Sequence, residues 1–308
     1  MSVTECMNRN PNLLMEGALG ERLKREYGLQ FDASVAMASL VYTAQGRGAL
    51  SELWRQYIDV ARRHGLPLLA TTPTRRVNSE RVGASGFTDR IICDNVRFLQ
   101  GIQAESGIEM YAGGLMGCRG DAYTGEGCLS EEDAEEFHKW TVERFWKAEA
   151  DFLYAGIMPT ADEAAGLARA VDSTELPYII SFTIQQNGKL IDGTTIADAI
   201  AYIDGETKNH PVCYMTNCVH PAILRKALLQ PCNRVDIVRE RFKGIQANTS
   251  ALSYAELDAA AELRCSEPEE FAEEMMKLRE VGNLQIWGGC CGTDQRHMEL
   301  IASKIAPR

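Results

Sequence analysis

The sequence predicts a single closed (β/α)8 barrel, a TIM barrel, spanning residues 1–308. Three features point there: eight short apolar runs, helical periodicity between them, and no linker or charge block that would divide the chain. The runs are 12–15, 67–70, 108–112, 151–155, 178–183, 212–215, 242–246 and 284–287. Their length and near-continuous apolarity suit strands covered on both faces, as parallel strands are.

The stretches between them read as helices. Residues 50–64 place Leu53, Trp54, Tyr57, Ile58 and Ala61 on one face. Ser130 opens Ser-Glu-Glu-Asp ahead of Phe137, Trp140, Val142, Phe145 and Trp146, and Thr160 opens Thr-Ala-Asp-Glu ahead of 164–171. Both openings resemble capping boxes, in which a hydroxyl satisfies an unpaired helix amide. Pro221, after His220, suits a first helical turn, where its missing donor costs nothing. Ser266-Glu267-Pro268-Glu269 opens another helix, to about Val281, and residues 294–304, after Thr293, form the last. An open doubly wound sheet would place Gly-x-Gly-x-x-Gly after its first strand, but the glycines there are Gly17 and Gly20 alone. In a barrel the active site lies just past the strand ends.

The 308 residues are 45 % hydrophobic and carry 43 acidic against 32 basic side chains, a net charge of −11. That balance argues against nucleic acid or an anionic membrane as the main partner. The N-terminus lacks the basic start and apolar run of a signal peptide, and no stretch approaches the ~18 apolar residues of a membrane span. A cytoplasmic location is expected, where the ten cysteines stay reduced and clustered ones suggest metal or catalysis. Cys6, Cys93, Cys118, Cys128, Cys213, Cys232 and Cys265 have no informative spacing and read as small buried or half-buried residues.

The other three stand at strand ends. Thr216-Asn217-Cys218-Val219-His220-Pro221 follows the sixth run, and Gly288-Gly289-Cys290-Cys291-Gly292-Thr293 follows the eighth. In a closed barrel these loops are near neighbours. Three thiolates leave one of zinc's four tetrahedral positions open, which marks a catalytic site. A substrate thiol in that position becomes a thiolate, able to attack a methyl group at neutral pH. Flanking glycines let the backbone turn tightly, so that adjacent cysteines reach one ion. Alone, an adjacent cysteine pair is more often core or a redox pair; the joint occurrence with Asn217-Cys218 favours zinc. His220 as a fourth ligand would close the site, but a role capping the next helix suits it better. His64, His138, His210 and His297 read as solvated or packed.

At these residues the sequence resembles the homocysteine S-methyltransferase family, through Gly288–Thr293 and Asn217-Cys218 above all. Met15-Glu16-Gly17-Ala18-Leu19-Gly20 resembles the family's first-strand turn. Gly113-Gly114-Leu115 through Phe137-His138 resembles its third strand, long loop and helix, and Ser181-Phe182 with 190–194 its fifth strand and the segment after it. The resemblance covers nearly the whole chain. It implies a barrel enzyme in which zinc on Cys218, Cys290 and Cys291 takes the homocysteine thiol and a methyl donor delivers to it, giving methionine. The partners implied are therefore a small-molecule thiol and a methyl donor. The chain's length matches members using a sulfonium donor, S-methylmethionine or S-adenosylmethionine. With no corrinoid module expected within the chain, a separate corrinoid protein is the other source of methyl. Glu16 is the expected ammonium partner, and Gly17, Thr72 and Asn217 are weaker substrate-pocket candidates. No general base beyond the zinc ligands is expected.

Three departures stand out. The first-strand turn carries Glu16 where the family has Asp. The fourth strand has Gly156 where a glutamate holds the substrate ammonium, and the second ends Thr72-Pro73-Thr74-Arg75 in place of Thr-Asn-Thr-aromatic. They leave open the same chemistry on a thiol without the ammonium, with Arg75 and Arg76 receiving an acidic group, or a zinc- or thiol-binding protein without catalysis.

Overall fold

A computed structural model describes residues 2–250 and 266–307. Its eight strands close on themselves in chain order: β1 (Leu13–Met15), β2 (Leu68–Thr71), β3 (Met110–Gly117), β4 (Phe152–Met158), β5 (Tyr178–Phe182), β6 (Cys213–Val219), β7 (Phe242–Ala247) and β8 (Ile286–Gly289). Every pairing is parallel, and β1 meets β8 through Leu13 against Ile286 and Leu14 against Trp287. The predicted barrel is therefore the observed one.

Each expected strand is present, but β3, β4 and β6 run several residues further than their apolar runs. Glycine and polar residues at the carboxyl ends hide the continuation. Gly113 and Gly114 on β3 make room for aromatic rings: an added Cβ would collide with Phe152 at the first and Phe145 at the second. Asn217 and Cys218 accordingly lie within β6, not in the loop beyond it.

Helices cover the outside. The one expected at 50–64 starts earlier, at Ala44, because the Thr43 hydroxyl accepts from the Gly46 amide and begins the helix ahead of its apolar face. Ser130 and Thr160 cap the helices Glu131–Lys147 and Ala161–Asp172 as expected, accepting from the Asp133 and Glu163 amides. The reciprocal half of each predicted capping box is missing. Asp133 accepts from the Ser130 hydroxyl, while Glu163 turns inward to accept from the amides of Arg119 (2.7 Å) and Leu129 (3.3 Å), with His138 Nε2 at 3.2 Å. Glu163 and His138 are both buried and pin the ends of the long β3 loop to the barrel. Two further expectations shift: the helix opened by Pro268 gives way at Lys277 to a 3-10 turn, and Cys232 is exposed, not buried. Cys265 lies outside the described residues. Among the described residues no helix is long and apolar enough to cross a membrane.

Candidate metal and substrate site

Three cysteines meet at the carboxyl end of the barrel. Cys218 occupies a bulge: β6 pairs with β7 through Asn217–Gln246 and then Val219–Ala247, leaving Cys218 unpaired with φ +57°. An L-residue in the left-handed region is strained, and a bulge of this kind re-aims a side chain. Here it brings Cys218 Sγ to 2.8 Å from Cys290 Sγ. A matching irregularity on β4 leaves Ile157 with φ +52°. Asn217 braces both, accepting at Oδ1 from the Ile157 amide (2.9 Å) and the Ser181 hydroxyl (2.6 Å), with Nδ2 3.5 Å from Cys218 Sγ.

The turn carrying Cys290 and Cys291 is held from several sides. Cys290 donates its amide to Ala247, and its carbonyl accepts from the Thr293 amide and hydroxyl. Gly292 adopts φ +83°, a conformation that favours glycine, and its amide donates to Glu21 at 2.7 Å. Gly289 is needed for a different reason: a Cβ there would strike Thr293. The thiols rise from buried Cys218 to exposed Cys291 and are mutually hydrogen-bonded. Donation from Cys290 and then Cys291 draws the Cys218 thiol well below the ordinary thiol range, against its burial.

The donor set fits zinc in kind: three sulfurs, no fourth ligand among the described residues, and an open side. His220 caps the helix Pro221–Leu228, as expected, its Nδ1 accepting from the Ala222 amide. The spacing is that of thiols hydrogen-bonded to one another. Among the described residues no group of three or more His, Cys, Asp or Glu side chains stands ready-made around a metal. Sulfurs sharing a tetrahedral zinc at ~2.3 Å stand roughly 3.8 Å apart, so binding would part Cys218 and Cys290 by about 1 Å.

Beside the cysteines lies a cavity of about 210 Å³. Of the sequence-predicted residues, Glu16, Gly17, Thr72, Asn217, Cys218, Cys290 and Cys291 all line it. Their roles differ from expectation in part. Thr72 has its hydroxyl engaged by Thr74 (2.7 Å) and the Leu115 amide (3.1 Å), so it braces the wall. Gly17 is required for packing, since a Cβ would enter the Tyr57 ring. Glu16 is buried and accepts three bonds: from the Thr71 amide (2.9 Å), the Thr71 hydroxyl (2.6 Å) and Trp54 Nε1 (2.7 Å). Burial outweighs those bonds and pushes its carboxyl up to about 7. Sequence reasoning missed Thr71, just past the second apolar run, and Trp54, which read as core. Nor did it single out Tyr123, Tyr154 or Gln246 on the cavity wall.

A family model for homocysteine S-methyltransferase matches residues 13–305. The chain belongs to the homocysteine S-methyltransferase family. As a member it is a methyltransferase, in keeping with its thiol-lined cavity. Its fold is similar to that of the Escherichia coli homocysteine methyltransferase MmuM. In the metallated form of MmuM the TM-score is 0.77 at 19 % identity, over 97 % of this chain and 98 % of that one. The oxidised form gives 0.77 at 20 % identity, over 97 % of both, and the apo form 0.68 at 19 %, over 97 % of both. No curated protein matches the chain.

Proposed function

We propose that this homocysteine S-methyltransferase family member methylates the thiol of homocysteine to give methionine, with zinc held by Cys218, Cys290 and Cys291. The observation carrying this reading is the meeting of three thiols from β6 and β8 beside a cavity sized for a small thiol. Zinc, when bound, supplies the charge that keeps an incoming thiol deprotonated at neutral pH. The chain does the rest by position. Asn217 and the Cys218 bulge aim one sulfur, while Glu21 and Thr293 fix the turn that carries the other two. Glu16 offers its remaining lone pair to the substrate ammonium.

Outside the cavity, and sharing Cys291 with it, lies a vestibule of about 620 Å³ whose wall includes Glu21 and Asp32. The same wall carries Lys24, Arg75 and Arg76; the donor proposed is a sulfonium, S-methylmethionine or S-adenosylmethionine, with Glu21, which lines both spaces, as the carboxylate facing its charge. A cytoplasmic location is part of this reading, because the chemistry needs reduced thiols.

The test is methionine formation from homocysteine and each donor by zinc-loaded protein, with Cys290→Ser as control. Product with a sulfonium donor, lost in the variant, is expected. Zinc-loaded protein that binds homocysteine yet yields no methionine with any donor would sink the catalytic reading.

A further inference from the structure

The Tyr154 hydroxyl is fully buried, and Ser181, which gives its own proton to Asn217, stands beside it with its oxygen able to accept. Arg75 is half-buried and, among the described residues, no carboxylate pairs with it. Both line the cavity that Cys218 and Cys290 share. The cavity's buried carboxylate, Glu16, by contrast already accepts three donated bonds.

Arg75 is held in place by its surroundings. Gly117, at the end of β3, lets the Arg75 stem and backbone lie close against the strand: a Cβ there would stand 2.9 Å from both its Cγ and its carbonyl oxygen. Arg75 also borders two further spaces, the vestibule and a small pocket lined by Arg76, Arg81 and Arg119. The neighbouring cations are partly answered: Arg119 pairs with Glu80, Arg81 reaches the Ser34 carbonyl, and Asp121 acts on Arg76. Arg75 alone among them lines the cavity that holds the three thiols. A planar guanidinium that no carboxylate of the described residues pairs, on the wall of the cavity that holds the thiols, suits a carboxylate ligand.

We infer that Arg75 is a specificity-determining residue that receives the carboxylate of the acceptor thiol, and that the carboxylate governs recognition more than the ammonium does. The inference rests on the proposed thiol-acceptor function and says which end of the acceptor the protein reads.

Calorimetry on the zinc-loaded protein separates the two. The probes are homocysteine, 4-mercaptobutanoate (no ammonium) and 3-mercaptopropylamine (no carboxylate), with wild type, Arg75→Gln and Arg75→Lys. The wild type should bind 4-mercaptobutanoate within about tenfold of homocysteine and the amine at least about tenfold more weakly. Arg75→Gln should weaken both carboxylates by about ten- to hundredfold and leave the amine unchanged, with partial recovery in Arg75→Lys. Equal effects on all three thiols, or none, overturn the role of Arg75 while leaving thiol binding standing. Failure of every thiol to bind protein of confirmed zinc content overturns the acceptor reading and this inference with it.

Discussion

Asn217 Oδ1, on β6, accepts a hydrogen bond of 2.9 Å from the amide of Ile157, on β4, joining the strained Ile157 to the neighbour of the strained Cys218 across the width of β5. The same oxygen takes the Ser181 hydroxyl from β5 itself. One amide side chain thus ties three consecutive strands together at the point where Cys218 must be aimed.

Asn217→Ala should therefore act on the metal, not on the fold. Loss of a residue that orients a ligand typically costs about 10–100-fold in metal affinity or activity. Zinc affinity by competition with a chelator should fall by that factor while the circular dichroism spectrum is kept. Unchanged affinity would show that the bulge holds Cys218 unaided.

Glu16 makes a pH-dependent contribution with a defined sign. Its folded-state value, about 7, lies above the ordinary 4.5, so the fold favours the protonated carboxyl. That stabilisation is complete below pH 4.5 and is lost as pH rises through 7. Against Glu16→Gln, which mimics the protonated form, the wild type should lose on the order of 3 kcal/mol between those limits. Urea unfolding of both proteins across that range reads the difference; parallel curves would mean that Glu16 is charged and paired throughout.

Gly156 on β4 offers a gain-of-function test. An added Cβ would meet Leu115 Cδ1 at 3.1 Å and Tyr154 Cε1 at 3.6 Å, both from side chains on the cavity wall. Gly156→Glu should raise the preference for homocysteine over 4-mercaptobutanoate at least about tenfold, the worth of one charged hydrogen bond to the ammonium. An unchanged ratio of dissociation constants would place the ammonium elsewhere.

The legible part of the sequence is set by the physical origin of each signal. Apolar periodicity located every strand and the barrel's closure, because parallel strands buried on both faces leave that mark. It failed at the carboxyl ends of β3, β4 and β6, where glycines admit the Phe145 and Phe152 rings and where the site needs polar residues. Cysteine spacing picked out Cys218, Cys290 and Cys291, and their meeting is a consequence of strand order. The strained bulge at Cys218 leaves no such mark, since nothing in Asn-Cys-Val signals a left-handed residue. The partners of Glu16 were hidden for another reason: Trp54 sits on an apolar helix face and serves the core with its ring while its Nε1 reaches the carboxylate.

The central claim is that Cys218, Cys290 and Cys291 present zinc with one position free for the acceptor thiol. X-ray absorption at the zinc edge, with and without homocysteine, reads that position directly. Three sulfurs and one lighter atom, becoming four sulfurs at ~2.3 Å when homocysteine is added, is the expected result. A zinc shell that does not change with homocysteine, or one that holds fewer than three sulfurs, would contradict it.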